Sequence, residues 1–158
     1  MKRKLFVFIL LCFMLILTGC EKEKNVKGTL PDLMAKVYEG IKEDELPMGL
    51  TDIEVTEENV EGFLGTSKIS YKEALAHESM IGSIAHSVVL VRANNNKEVE
   101  KLKETIEKNI NPRKWVCVGV EEDDVIIESI GDLVIVILVE NESVREKIEE
   151  RFEALETL

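Results

Sequence analysis

Leu133-Val134-Ile135-Val136-Ile137-Leu138-Val139 is the stretch on which the fold turns. A strand with one wet face alternates apolar and polar residues. This run does not, so it predicts a central strand covered on both faces. Just upstream, Gly131-Asp132 supplies a turn from the apolar, β-branched residues 125–130. Before them, residues 115–120 have the same character, and Glu121-Glu122-Asp123-Asp124 between the two suits a hairpin connection, so both read as strands. Just downstream, Val144, Ile148, Phe152 and Leu155 recur at helical spacing, with Asn141 or Ser143 as caps.

Further out, residues 84–93 form the clearest strand of the first half, where Val88, Val89 and Val91 lead to the turn-prone Asn94-Asn95-Asn96. Residues 67–78 read two ways. Ile69, Tyr71 and Leu75 suit a strand, whereas Ser70 with Glu73 has the shape of a capping box; a strand paired with the next one is favoured. Leu30, Leu33, Met34, Val37, Tyr38 and Ile41 line one helical face, with Thr29 as cap, Pro31 in the first turn and Leu46-Pro47-Met48-Gly49 as a breaker. Val99, Leu102, Ile106 and Ile110 line another, which Asn111-Pro112 ends. Thr56 begins a short helical turn through Val60 and Phe63, weakened by Gly62 and Gly65. The order is helix, strand pair, helix, strands, helix. It predicts one α+β domain: a mainly antiparallel sheet of about four strands with helices packed on one face.

The first residues belong to something else. Lys2, Arg3 and Lys4 precede an unbroken apolar run over residues 5–17. A membrane-spanning helix needs about 20 apolar residues, so this run reads as the core of a signal peptide, with the basic flank on the cytoplasmic side. Leu17-Thr18-Gly19-Cys20 follows at the expected distance and resembles the lipobox of bacterial lipoproteins, in which a diacylglyceryl group is attached to the Cys thiol and the chain is cut before it. The expected organisation is a signal peptide over 1–19, a lipidated Cys20 with a charged, mobile tether over 20–28, and a single domain over 29–158. Two or more palmitate-type acyl chains would hold such a domain firmly on the outer face of the membrane.

Composition narrows the partners. The formal charge is −11, and three of the basic residues lie in the leader, so the remainder is more acidic still. A polyanion gains nothing from meeting nucleic acid or anionic headgroups, which excludes nucleic acid as a partner. Of three cysteines, Cys12 leaves with the signal and Cys20 carries lipid, so Cys117 has no disulfide partner.

Ser83-Ile84-Ala85-His86-Ser87-Val88-Val89-Leu90-Val91-Arg92 and Asn111-Pro112-Arg113-Lys114-Trp115, preceded by Leu46-Pro47-Met48, resemble a family of clostridial-type Gram-positive lipoproteins classed as a domain of unknown function. The resemblance spans nearly the whole domain. It implies a cell-surface lipoprotein and supplies no catalytic residues.

The residues able to carry chemistry are few. His77 and His86 are the two histidines. His86 opens an apolar strand, where a hydrogen-bonded core histidine is favoured, and His77 fits a surface position. Cys117, among Val116 and Val118, reads as a small buried hydrophobe rather than a nucleophile. Glu121-Glu122-Asp123-Asp124 lacks the spaced oxygen ligands and glycine of a calcium loop. Arg113 and Lys114 beside Trp115 form a basic cluster suited to a carboxylate or phosphate, or to the end of a helix dipole. Phosphate loops, nucleophile elbows, His-Glu-x-x-His and paired cysteines are absent. The expectation is a non-enzymatic envelope-binding domain without cofactor or metal. The alternative is a small-ligand or metal-binding sensor using His86, Arg113, Lys114 and Trp115.

Overall fold

The computed structural model describes residues 25–157, so the signal segment and Cys20 lie outside the described residues. Five strands, β1 (Leu50–Glu54), β2 (Glu73–Ser79), β3 (His86–Arg92), β4 (Ile126–Ile130) and β5 (Leu133–Val139), form one sheet in the order β1-β2-β3-β5-β4. Every neighbouring pair is antiparallel. Among the described residues four α-helices accompany it: α1 (Leu30–Val37), α2 (Val60–Leu64), α3 (Val99–Asn109) and α4 (Glu142–Glu153). The fold is therefore α+β with an antiparallel sheet of five strands, one more than expected.

Helices cover both faces of this sheet, not one. On one face Leu75, Val88, Leu90, Ile135 and Ile137 meet α1 and α4 through Leu33, Val37, Ile148 and Phe152. On the other, Ala76, Val89, Val91, Val134, Val136 and Leu138 meet α2 and α3 through Phe63, Leu64, Leu102 and Ile106. The cause is the pattern of β3 and β5, which send aliphatic side chains alternately to both sides. A single helical layer would leave half of them in water, at a cost of roughly 1.5–3 kcal/mol for each large side chain. All seven β5 residues are fully buried, as the uniform apolar run requires.

Three local differences follow from where backbone bonds go. β1 has just Leu50 and Ile53 as apolar residues and becomes a strand by pairing with β2. β2 begins at Glu73, leaving residues 67–72 outside it. Residues 115–120, expected as a strand, form a loop, because Val116 N–H donates to Gly82 O at 2.8 Å and Val120 N–H to Pro112 O at 2.9 Å. Trp115, Val118 and Val120 face the core from this loop. Cys117 does not. It is exposed, with φ +63°, contrary to its expected burial.

Helix ends follow their sequence cues. The Thr29 side chain accepts from Asp32 N–H at the start of α1, and the Asn141 side chain from Val144 N–H at the start of α4. Gly65, with φ +81°, closes α2 in the left-handed conformation, so it terminates the helix rather than weakening its interior.

Candidate functional site

The sheet has two ends with different roles. At one, Arg92 closes β3 and is nearly buried. Its guanidinium donates to Glu73 at 2.7 Å and to both carboxylate oxygens of Asp132 at 3.1 and 3.2 Å. It also donates to Val26 O and Gly28 O, each at 2.9 Å, while Val26 N–H donates to Asp132 at 3.0 Å. Burial disfavours this charge, but Glu73 and Asp132 outweigh it and raise the Arg92 pKa further. Residues 26–28, expected within the mobile tether, are thus held to the domain, and Val26 packs on the α1–α4 core.

At the other end two polar clusters lie on opposite faces. On the α1–α4 face the Tyr38 hydroxyl and His86 Nε2 share a hydrogen bond of 2.8 Å. The Tyr38 ring meets His77 edge-on, centroids 4.8 Å apart, and His77 Nδ1–H donates to Asp52 at 2.6 Å across the β1–β2 pair. His86 is 2% exposed, and burial, reinforced by the charge of His77, pushes its pKa down to about 4. Burial, then the charge of Asp52, pushes Tyr38 up. Near neutral pH, His86 is therefore neutral and Tyr38 protonated, the state that suits a hydrogen-bonded core histidine.

On the α2–α3 face, Lys114 Nζ donates to Glu78 at 2.6 Å and lies 3.3 Å from Ser87 Oγ, which donates to Glu78 at 2.8 Å. The ammonium sits over the rings of Phe63 and Trp115, 4.6 and 5.1 Å from their centroids. Burial lowers the Lys114 pKa, against the pull of Glu78. Arg113 turns outward to an exposed pair with Glu121 at 2.6 Å. The four residues named as a ligand site therefore do not converge: the sheet separates His86 from Lys114 and Trp115, and Arg113 faces solvent. Among the described residues no three His, Cys, Asp or Glu side chains are grouped to hold a metal ion, and no helix is long and apolar enough to cross a membrane.

What gathers at this end is an apolar surface. Met48 is 77% exposed, Met80 68%, Val116 67% and Ile81 37%. Hydrogen bonds join the three loops that carry them: Met80 N–H to Gly49 O at 2.9 Å, the Ser79 hydroxyl to Met48 O at 3.0 Å, and Val116 N–H to Gly82 O. Beside them a cleft of about 210 Å³ runs between Leu46-Pro47 and Ile84-Ala85, with His86 in its floor and Glu45 and Glu140 on its rim. No local pattern signals this grouping, because the exposed residues lie in separate loops and lack a shared period. Comparison of the chain with protein-family models, with curated proteins and with solved structures finds no match.

Proposed function

We propose that this chain is a lipoprotein anchored through Cys20 to the outer face of the cell membrane, and that its domain is a non-enzymatic binding module. Its working surface is the loop end around Met48, Met80, Ile81 and Val116, and its partner is a protein of the envelope. The observation that carries the reading is that surface itself, since soluble monomers seldom leave several large aliphatic and methionine side chains exposed side by side, and methionine surfaces adapt well to protein partners. Its position supports the reading. Strands of seven residues span about 20 Å, so the loop end lies that far from Val26, where the chain arrives from Cys20. The lipobox-like Leu17-Thr18-Gly19-Cys20 and the acidic composition agree with a domain displayed away from anionic lipid.

Two measurements test it. Fatty-acid labelling should mark the wild-type chain, and Cys20→Ala should lose both the label and the membrane fraction. A photo-crosslinking residue at position 80 should then give one reproducible protein adduct in intact cells, lost in a Met48→Ser, Val116→Ser variant. Labelling that persists without Cys20 would overturn the anchor. Adducts indifferent to the two serines would overturn the surface.

A further inference from the structure

Apart from the loop end, the molecule leaves one sheet edge poorly protected. Among the described residues β4 is the outermost strand, bonded to β5 alone. Gly131-Asp132 joins the two strands with a positive φ at Gly131 only, the pattern of a two-residue type II′ turn. In such a hairpin the flanking pair, Ile130 and Leu133, exchange ladder bonds, and alternate residues follow. The backbone N–H and C=O groups of Ile127 and Ser129 therefore point away from β5.

Exposed edges are usually defended by charge or proline. The far edge, β1, conforms, with Thr51, Asp52 and Glu54 exposed. β4 carries one charge, the exposed Glu128, and otherwise presents half-buried Ile126, Ile127 and Ser129. A groove of about 630 Å³ runs along it between the helical layers, floored by Val125 and Ile127 and edged by Glu107, Glu122, Glu128 and Glu149. Among the described residues that line it, the cation is Lys108, which is paired with Glu104. Burial and the charges of Glu153 and Glu128, only partly offset by Arg145, hold the Glu149 carboxyl above the usual carboxylate range, a like-charge crowding that a further cation would relieve.

We propose that the β4 edge docks an extended, lysine- or arginine-bearing segment of a partner protein, which adds as a sixth strand. Ile127 and Ser129 supply the backbone bonds, and the four glutamates receive the cationic side chains. This goes beyond the loop-end reading and depends on neither the anchor nor that surface. Pairing of two copies through β4 is opposed by the same glutamates, which would face their own kind.

The test uses the full chain in non-ionic detergent and a fluorescein-labelled peptide of about ten residues alternating valine and lysine. Anisotropy should show saturable binding, and the amides of Ile127 and Ser129 should exchange more slowly with peptide present. Ser129→Pro removes an outward N–H without touching the ladder. Binding should weaken at least about tenfold in that variant and equally in Glu128→Lys with Glu149→Lys, an exposed and a half-exposed position outside the two core clusters. A valine–glutamate peptide should not bind. Equal binding of a proline-interrupted peptide with the same lysines would overturn strand addition, as would unchanged binding after charge reversal. So would a dimer, seen by sedimentation, that the peptide cannot displace. Should Ser129→Pro fail to fold, amide exchange and the charge-reversal variant decide.

Discussion

The Tyr38 hydroxyl stands 2.8 Å from His86 Nε2, joining α1 to the first residue of β3 across 48 positions of sequence. In so buried a setting, losing one partner strands the other. Tyr38→Phe should therefore cost about 1–3 kcal/mol in urea unfolding. A loss near zero would mean that His86 is satisfied another way.

The same pair sets a pH dependence. His86 titrates at about 4 in the fold and near 6.5 unfolded, so the unfolded chain binds the extra proton in that interval. Its contribution is complete above pH 6.5, falls as pH drops toward 4, and is flat below. The loss should reach on the order of 3 kcal/mol. His86→Gln removes this titration, so subtracting its profile from that of the wild type isolates the slope from the carboxylates. Parallel profiles would refute it.

Lys114 and Glu78 form the other inward pair, with side chains 13% and 15% exposed. Lys114→Met should destabilise by about 3 kcal/mol by leaving Glu78 to Ser87 alone. Adding Glu78→Gln should recover at least about 1 kcal/mol of the expected sum, because the two losses share one interaction. Strict additivity would show that the pair is not coupled.

Gly65 is a backbone crossing. A Cβ there would lie 2.1 Å from Asn109 O, so the end of α2 could not sit against the end of α3. With the left-handed φ adding about 1–2 kcal/mol, Gly65→Ala should cost about 3 kcal/mol or more. Calorimetry would register this as a fall in Tm of many degrees; an unchanged Tm would argue against the contact.

Arg92→Met removes the charge that Asp132 and Glu73 compensate and the donors to Val26 and Gly28. A loss of about 3–5 kcal/mol is expected. The Val26 amide should also pass from protected to rapid hydrogen exchange, a readout that a merely weakened core would not single out.

Legibility in the sequence followed the source of each element's stability. β5, α3 and α4 carry their own periodicity, and each lies close to where that pattern places it. β1 does not: Leu50 and Ile53 are three apart, a helical spacing, and the strand exists because β2 pairs with it. Residues 115–120 failed in the opposite sense, since valines that suit a strand gave their amides to loops. The unalternating apolar run of β5 implies a cover on each face, and the sheet has both. His86 as a hydrogen-bonded core residue was legible from its apolar neighbours, but Tyr38 as its partner was not. Nor was the union of Lys114 with Glu78, which depends on chain crossings that no local pattern encodes.

The Arg92 clamp also determines how the domain would carry tension. A pull on Val26 passes through the guanidinium into the ends of β3 and β5, two interior strands, and a partner held at the loop end would pull on the opposite end of β3 through Met80 and Ile81. The load then runs parallel to the strands, so ladder bonds resist it together instead of opening one after another. A domain hung in this way between membrane and partner is braced along its strongest axis.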